Sequence, residues 1–408
     1  MKKYIAIIIT IILCGTCLSI YYTDLFKDVS KNLDTDIKKN NILSMMIETK
    51  ASSGKYQIYE SNEWPRDGYV LNTELSKCEN GGTLSWDDIN KKVVMKGNIS
   101  DKCYVYFDIY VEPATPVNDY IKNLYTGTQG ANGLYYHNSS LTNGAGDNSY
   151  RYAGASPNNY VCFGSDEETC PHDNLYRIIG IFNNKVKLIK ADYATSTLLG
   201  KDGDYMMENS FSNTYKGKNG RAYWYYWSKN ANGDSSTTDW NVSLLNKTNL
   251  NTNYLNNIGE KWSQMIATST WEIGQYAVDS VIPSTIKQYE STRKIFSDYT
   301  GKVGLMYLSD YLFAASSNNW AKYVYNASDT ENDYRSAKDE DWLYLGDYEW
   351  MLATKSSNMV FLINTDGFIR SDVITVTESS LRPVFYLSDG VGIVGEHAGS
   401  ETDPYRLK

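Results

Sequence analysis

The sequence of 408 residues predicts an α+β fold. We expect an N-terminal transmembrane helix, a small disulfide-stapled β module and a C-terminal domain of mixed antiparallel strands and short helices. Three observations support this prediction: one long apolar run at the N-terminus, short alternating apolar runs broken by Gly, Pro and Asn further along, and four cysteines beyond the apolar run. A hydrophobic content of 42% is sufficient for two or three cores.

The N-terminus, MKKYIAIIITIILCGTCLSIYY, predicts a membrane anchor over residues 1–23. As a helix rising about 1.5 Å per residue, the apolar residues 4–22 match a hydrocarbon core of about 30 Å. Because Lys2 and Lys3 precede this run, we expect a single-pass protein of the cell membrane with the rest of the chain outside. A retained signal anchor is favoured. A cleaved signal peptide, with Cys17 and Ser19 before the cut, is the alternative.

The cysteines beyond the anchor predict disulfides. Their number is even, and the chain is expected to be exported, which favours bridges over free thiols. Nearest-neighbour pairing is the simplest of the three possible connectivities and gives Cys78–Cys103 and Cys162–Cys170. A zinc site is not expected, because the chain has no Cys-x-x-Cys and only three His. We predict no metal and no cofactor.

The rest of the chain divides by composition. Residues 24–50 are expected to form a helical stalk, because apolar residues recur there at four-residue spacing. Residues 51–112 carry short alternating runs and predict a small β module, which a bridge of its two cysteines would stabilise by roughly 3 kcal/mol. Residues 113–159 begin with PATP, are rich in Gly, Asn and Ser, and are typical of a linker that partly packs on the next domain. Residues 160–408 form that domain.

Charge and composition limit the partners. The net charge is -9 and the basic residues are scattered, so the sequence lacks the basic patch that a nucleic-acid partner would require. The 36 Tyr residues would suit a recognition surface, since a tyrosine ring offers rigid area with a polar tip. The amino-acid usage of AT-rich bacterial genomes is the alternative explanation for the abundance of Tyr.

Residues 160–408 carry several landmarks in a fixed order. They are YRIIGIFNNKVKLIK (176–190), TDWNVSLLNKTNLNTNYLNNI (238–258), VGLMYLSDYLF (303–313), YEWMLAT, FLINTDGFI and LRPVFYLS (348–387), and the ending GSETDPYRL. In these landmarks the chain resembles an uncharacterised family of bacterial extracellular domains, distantly related to the formylglycine-generating, sulfatase-modifying group. The resemblance implies a C-type-lectin-like domain that opens with a hairpin over the first landmark. Relatives commonly have Trp-Leu-Arg-Ser where this chain has WMLAT (350–354). This chain has no Arg there, so any role of that Arg in relatives is not expected here.

The C-terminal landmarks also have a physical interpretation. Asp366-Gly367 predicts a tight two-residue turn between two paired strands. Arg382 and Pro383 indicate a strand that starts at a sheet edge, because Pro cannot donate to a ladder. Arg382 is expected to be a buried cation paired with a carboxylate, and ligand binding is the alternative.

The sequence offers no convincing catalytic constellation. The oxidising members of the related group need a Cys pair late in the domain, and no Cys follows Cys170. His137, His172 and His397 lie in polar, turn-rich stretches without a Gly-x-Ser-x-Gly motif, so we expect exposed loop residues. The many carboxylates are typical of solvated loops, and no EF-hand loop specifies calcium.

The stretch GRAYWYYWSKN (220–230) is the strongest candidate for ligand binding, because its rings cannot all face one core. The tentative ligand-binding residues are Tyr223, Trp224, Tyr226, Trp227 and Arg382. A strand with aromatic rings packed on both sides is the alternative. We therefore expect an adhesin-like surface protein that binds an extracellular glycan or protein ligand without catalysis. Two alternatives stay open: a cell-envelope enzyme, such as a glycan hydrolase or a sulfatase-modifying type, and a structural component of a surface assembly.

Overall fold

A computed structural model describes residues 34–36, 41–65, 68–98, 100–111, 113–209, 221–226, 238–293, 298–374 and 377–408. The chain divides into two compact units, with the boundary between Pro113 and Ala114. Strands account for 34% of the described residues and helices for 20%. The prediction of an α+β fold was therefore wrong, and the described chain is mainly β. The physical reason is that Asn, Ser and Gly interrupt the apolar runs before a long helix can form.

The predicted transmembrane helix, residues 1–23, lies outside the described residues. In the described ranges, no helix is both long and apolar enough to cross a membrane. The longest helices there have ten residues, which at about 1.5 Å per residue is half of a hydrocarbon core of about 30 Å. This finding corrects the predicted fold class and the predicted single-pass membrane localisation, which both depended on that anchor.

The first unit is built from short strands in two sheets. The sheets have the strand orders β1-β7-β6 and β3-β2-β8-β4, and β5 also pairs with β8. The strands are β1 (Asp34–Asp36), β2 (Ile42–Glu48), β3 (Tyr56–Ile58), β4 (Tyr69–Leu71), β5 (Lys77–Cys78), β6 (Thr83–Asp87), β7 (Lys92–Lys96) and β8 (Cys103–Ile109). Val93 and Met95 of β7 and Val105 and Phe107 of β8 are buried and alternate with more exposed residues, as the period of two requires.

Part of the expected helical stalk is a strand. Residues 42–48 form β2, which runs parallel to β8. Met45 and Ile47, two positions apart, are both buried in the core of this unit. Burial within residues 42–48 therefore follows the period of two of a strand. The residues with the four-residue spacing, Leu25, Val29, Leu33 and Ile37, lie outside the described residues.

Both predicted disulfides, Cys78–Cys103 and Cys162–Cys170, are confirmed. Cys78 and Cys103 stand directly opposite each other in the ladder of β5 and β8, with Cα atoms 3.9 Å apart. The second bridge closes a shorter loop, with a sequence separation of 8 residues. Each bridge therefore lies within one unit.

The second unit is organised by a ten-stranded sheet with the order β20-β25-β14-β13-β12-β27-β26-β9, to which β10 and β11 are attached through β13. Smaller sheets have the orders β15-β16-β24, β17-β19 and β18-β21-β22-β23. The strands are β9 (Thr115–Pro116), β10 (Leu134–Tyr136), β11 (Tyr150–Tyr152), β12 (Tyr160–Cys162), β13 (Leu175–Phe182), β14 (Lys185–Lys190), β15 (Tyr205–Asn209), β16 (Arg221–Tyr225), β17 (Ser269–Trp271), β18 (Gly274–Gln275), β19 (Tyr299–Gly301), β20 (Val303–Gly304), β21 (Glu349–Ser356), β22 (Met359–Ile363), β23 (Ile369–Val373), β24 (Glu378–Ser379), β25 (Val384–Tyr386), β26 (Gly392–Val394) and β27 (Tyr405–Leu407).

The helices of this unit are short. The α-helices are α1 (Val117–Leu124), α2 (Ser196–Leu199), α3 (Leu255–Asn257), α4 (Glu260–Gln264), α5 (Pro283–Thr292) and α6 (Leu308–Leu312), and a π-helix spans Leu245–Tyr254. Short 3₁₀-helices span Ala131–Gly133, His172–Asn174, Trp240–Val242, Ser317–Ala321 and Tyr334–Glu340. Residues 113–159 supply β9, α1, β10 and β11 to this unit.

The β13–β14 hairpin is the centre of the large sheet. Asn183 and Asn184 connect the two strands with φ of 47° and 67°, the left-handed pair that a type I′ turn needs and that Asn tolerates. Beyond a bulge in β13, Gly180 stands opposite Arg151 of β11. A Cβ at Gly180 would lie 2.1 Å from the carbonyl oxygen of Tyr150. Only glycine therefore lets β11 pair here and bring Arg151 beside β13.

The closing hairpin differs from the prediction in its turn. Strands β22 and β23 pair antiparallel, but five residues, 364–368, connect them instead of two. Gly367 has a φ of 82°, whereas Asp366 is outside the left-handed region, so a type I′ turn cannot form. The Asn364 side chain closes the loop, since its Oδ1 accepts hydrogen bonds from the amides of Asp366 and Phe368 at 2.9 and 3.2 Å.

Strand β25 lies inside the sheet and not at its edge. It pairs with β14 on one side and with β20 on the other. The ladder begins at Val384, one residue after Pro383, so the missing amide of Pro383 falls outside it. The carbonyl of Pro383 accepts a hydrogen bond from the Lys190 amide at 3.1 Å.

His137 corrects the expectation that each histidine is an exposed loop residue. His172 is exposed and His397 is half-buried, but His137 is fully buried. The His137 ring packs between Phe313 and Trp320, with both centroids 4.9 Å away. Its Nδ1 accepts a hydrogen bond from the Ala145 amide at 3.0 Å. A neutral histidine thus fits this apolar site as an acceptor.

We predict that His137 makes folding sensitive to mild acid. Burial, and next the charge of Arg151, hold the pKa of His137 well below its ordinary value, although Asp147 opposes this. Below about pH 6.5 the unfolded chain binds a proton that the folded chain excludes, so this contribution to stability is lost as the pH falls, by up to about 1.4 kcal/mol per pH unit. Urea unfolding between pH 7 and 5 should show a smaller loss in His137→Asn, whose amide oxygen can still accept from Ala145.

The exposed His172 provides the control for this measurement. His172→Asn should keep the pH dependence of the unmodified chain. Identical slopes of the unfolding free energy against pH in the unmodified chain and in His137→Asn would contradict the prediction.

Candidate functional site

A fully buried ion pair joins the large sheet to α6. The Lys187 side chain is 0% exposed and that of Asp310 is 1% exposed, and the Lys187 ammonium donates to Asp310 Oδ2. The same Oδ2 accepts a hydrogen bond from the Tyr307 amide at 2.8 Å, at the start of α6. The Lys187 ammonium lies 4.1 Å from the centroid of the Tyr307 ring. Burial lowers the pKa of Lys187, and the Asp310 carboxylate opposes that shift.

A second buried carboxylate, Glu290 of α5, fixes the other side of this helix start. Its Oε1 accepts from the Ser309 amide at 2.9 Å and its Oε2 accepts from Ser309 Oγ at 2.7 Å. Lys287, one turn earlier on α5, lies 3.4 Å from Oε2. Burial raises the pKa of Glu290, and the Lys287 charge works against this rise. Both oxygens of Glu290 are therefore occupied by the protein itself.

Arg151 of β11 supplies a third charge beside the first two. Its Nη2 donates to Asp147 Oδ2 at 2.7 Å and its Nε donates to Ser149 Oγ at 2.8 Å. The guanidinium lies 4.6 Å from the centroid of Phe182. Burial acts to raise the pKa of Asp147, but Arg151, Ser149 and Lys287 together hold it well below its usual range. Asp147 is thus an anion at any physiological pH.

These charges surround a cavity of about 310 Å³, which we call the charged cleft. It is lined by Asp147, Ser149, Arg151, Phe182, Asn183, Thr270, Glu272, Lys287, Tyr307, Ser309, Asp310 and Tyr386. The buried residues Arg151, Tyr307, Ser309 and Asp310 form its inner wall, whereas Asn183 and Thr270 are exposed at its mouth. Its volume lies at the lower end of the range of about 300–1,000 Å³ for small-molecule sites.

One acceptor on the inner wall is left without a partner. Asp310 Oδ1 is buried and makes no hydrogen bond to any residue that the structure describes. Leaving a buried acceptor unpaired costs about 1–3 kcal/mol, and more for a charged group. Because Asp310 lines the charged cleft, an O–H or N–H group of a bound molecule could satisfy this oxygen. The arrangement is suited to binding.

Two rings of the aromatic stretch are buried and not exposed as a binding surface would require. Trp224 and Tyr226 are both 0% exposed. The Tyr226 ring packs against Trp240 and Trp350 with centroids 5.1 and 5.8 Å away. The carbonyl of Trp224 accepts a hydrogen bond from Trp350 Nε1 at 2.8 Å. These two rings therefore lie in the core of the second unit.

Tyr223 points to the other face of β16 and is half-buried, and its hydroxyl donates to Asp347 Oδ2 at 3.0 Å. Aromatic rings thus pack on both sides of the strand, which was the alternative interpretation of this stretch. Trp227, the remaining ring of the prediction, lies outside the described residues.

Arg382 forms a buried, two-pronged ion pair. Its Nε and Nη2 donate to the two carboxylate oxygens of Glu349 at 2.7 and 2.9 Å, and Nη2 also donates to the Leu343 carbonyl. Burial raises the pKa of Glu349, and Arg382 opposes this rise. Arg382 is 1% exposed, so the structure shows the carboxylate pairing that the structural interpretation of this residue anticipated.

The charged cleft was not predicted from the sequence. Arg151, Lys187 and Asp310 come from three distant segments, and Lys187 and Asp310 are 123 positions apart. The available signal was a charged residue with apolar residues on both sides, as Lys187 in KVKLIK and Asp310 in LMYLSDYLF. Charged residues are almost never fully buried unless they are paired. Such interruptions would have been better candidates than the aromatic stretch.

Comparisons of the chain with family models, with curated proteins and with solved structures find no match. The resemblance of residues 160–408 to a family of bacterial extracellular domains therefore stays a prediction. The case for a function depends on the geometry of the charged cleft.

We predict that replacing one member of the Lys187–Asp310 pair destabilises the second unit much more than replacing both. Lys187→Met leaves a buried carboxylate without its cation and should lower the free energy of unfolding by about 3–5 kcal/mol. Adding Asp310→Asn removes that uncompensated charge and should restore most of the loss, because the amide oxygen still accepts from Tyr307. Urea unfolding at pH 7 measures both effects.

The matched control is the exposed pair of Lys261 and Asp166, with side chains 51% and 64% exposed. Lys261→Met should change the free energy of unfolding by less than about 1 kcal/mol. A loss in Lys187→Met no larger than this one would contradict the prediction.

Proposed function

We propose that the protein is an extracellular, non-catalytic binding protein whose charged cleft holds a hydroxyl-rich ligand, the terminal sugar of a glycan. The observation that carries this proposal is Asp310 Oδ1, a buried carboxylate oxygen without a partner among the described residues, on the wall of that cleft. A sugar hydroxyl can donate to this oxygen and accept from neighbouring donors at the same time. Charge-assisted hydrogen bonds of this kind are about twice as strong as neutral ones.

The mouth of the cleft supports the same ligand class. Phe182 and Tyr386 lie there as an edge-to-face pair, with ring centroids 6.4 Å apart, and both rings are half-buried. Aromatic rings offer apolar area to the C–H face of a sugar at a small entropic cost. Asn183 and Thr270 add short polar side chains that donate and accept. The cleft thus combines rings with neutral and charged polar groups.

The disulfides support an extracellular location. Disulfides form and persist in oxidising compartments and are rare in the cytosol. The described chain holds two of them. A glycan on or outside a cell envelope is the ligand class that such a location makes available.

A hydrolase is the second candidate, because several carboxylates lie close together here. A glycosidase needs one carboxyl that stays protonated and one that is ionised, with their pKa values pushed apart. Asp147 has a lowered pKa and Glu290 a raised one. However, Glu290 lies behind Ser309 and not on the wall of the cleft, and its oxygens bond to Ser309 and Lys287. Binding is therefore favoured over catalysis.

We predict that the oxidised, full-length protein binds members of an array of glycans and cell-wall fragments. Tyr386→Phe combined with Thr270→Val removes two hydroxyls at the cleft and keeps the shape of both side chains. Losing two hydrogen bonds to the ligand should weaken the Kd by about tenfold or more. Titration calorimetry with the best array ligand measures the change, and a melting curve shows whether the fold is retained.

Tyr323→Phe is the control, because Tyr323 is 43% exposed and does not line the cleft. Its Kd should equal that of the unmodified protein. An equal Kd in the double variant, or no binding to any glycan, would refute the proposed site. Release of a cleaved glycan during the titration would favour the hydrolase.

A further inference from the structure

A second cavity of about 480 Å³ lies in the second unit and shares no residue with the charged cleft. We call it the tyrosine cavity. It is lined by Tyr120, Leu124, Asn132, Gly133, Tyr152, Ala153, Gly154, Ala155, Ser156, Pro157, Asn158, His397, Ala398 and Tyr405. None of these residues is Asp, Glu, Lys or Arg. An uncharged ligand therefore suits this cavity.

Three tyrosine rings from different elements define the cavity. Tyr120 comes from α1, Tyr152 from β11 and Tyr405 from β27. The rings of Tyr120 and Tyr405 meet edge to face, with centroids 5.3 Å apart at an interplanar angle of 71°. Leu124 and Pro157 add aliphatic surface. The lining thus combines aromatic and aliphatic surface with phenol groups and with the polar side chains of Asn132, Ser156, Asn158 and His397.

The phenol oxygen of Tyr152 points to a missing partner. Tyr152 is 1% exposed, and its hydroxyl is buried without a hydrogen-bond partner in the described part of the chain. Its backbone is fixed, since its carbonyl accepts from Trp342 Nε1 at 2.9 Å. Burial raises the pKa of Tyr152 well above the usual value. The group therefore stays a protonated hydroxyl that can donate to a ligand.

The loop 153–158 adds further donors. Its ends are held by the protein: the Gly154 amide donates to the Ala314 carbonyl at 2.9 Å, and the Pro157 carbonyl accepts from Arg177 at 3.0 Å. Between these anchors Ala155 and Ser156 are exposed, and no hydrogen bond joins their amides to described residues. These two amides, on residues that line the cavity, are thus available as donors besides the Tyr152 hydroxyl.

We propose that the tyrosine cavity binds an uncharged, proline-rich peptide segment in the extended polyproline II conformation. Proline has no amide hydrogen, so such a segment presents carbonyl acceptors and no competing donors. Its backbone is exposed because polyproline II has no internal hydrogen bonds. Pyrrolidine rings dock against aromatic-lined grooves, and the conformation is already ordered before binding. The donors, the rings and the absence of Asp, Glu, Lys and Arg from the lining all match this ligand.

The test uses the oxidised, full-length protein and a fluorescent ten-residue polyproline peptide with blocked ends. Fluorescence anisotropy should show saturable binding that a Gly-Ser peptide of equal length lacks. Tyr152→Phe removes only the unpartnered hydroxyl and should weaken the peptide Kd by about fivefold to tenfold, since one hydrogen bond is lost. The melting temperature should stay the same or rise, because no internal hydrogen bond is broken.

Tyr276→Phe is a closely matched control. Tyr276 is 4% exposed, its hydroxyl also lacks a hydrogen-bond partner among the described residues, and it lies outside the tyrosine cavity. This variant should bind the peptide as the unmodified protein does. Absence of saturable peptide binding, or an equal loss in both variants, would overturn the proposal. Displacement of the peptide by neutral oligosaccharides would overturn it as well, because the ligand class would then be wrong.

Discussion

The second unit depends on the burial of a lysine and an aspartate as a contact pair. Each of these ions would lose several kcal/mol of hydration on its own, so the fold is possible only if Lys187 and Asp310 meet. That requirement fixes the position of α6 relative to β14. The surrounding groups are arranged to serve it: the Tyr307 ring faces the ammonium, and the Tyr307 amide bonds to the carboxylate. One misplaced element would leave two buried charges uncompensated.

A hydrophobic pair of similar volume would often stabilise a protein equally well or better. We therefore propose that the charges of the cleft serve ligand binding rather than the stability of the fold. Asp310 uses only one of its oxygens within the described protein, while Glu290 uses both. Asp310, on the wall of the cleft, is thus the carboxylate that can still accept a hydrogen bond. Both carboxylates hold the start of α6, but only Asp310 keeps an oxygen that can receive a ligand.

The sequence predicted features that depend on neighbours along the chain or on simple counting. An even number of cysteines together with nearest-neighbour pairing predicted both bridges, and the strands on either side of Asn183 and Asn184 pair as expected. Features that depend on distant contacts were out of reach. Trp224 was predicted to bind a ligand because the sequence around it is rich in aromatic residues. A high local content of aromatic residues does not distinguish a buried core from an exposed groove. The fold class was wrong because we expected helices to contribute more, whereas Asn, Ser and Gly keep the described helices short and the described chain is strand-rich.

The most direct test of the proposed ligand site is a crystal structure of the protein with the glycan that binds most tightly. The proposal requires electron density for a sugar in the charged cleft, with a hydroxyl oxygen about 2.5–3.0 Å from Asp310 Oδ1. The rings of Phe182 and Tyr386 should border that sugar. A glycan bound elsewhere on the protein, with Asp310 Oδ1 in contact with water alone, would contradict the central claim. The buried charges would then be structural only.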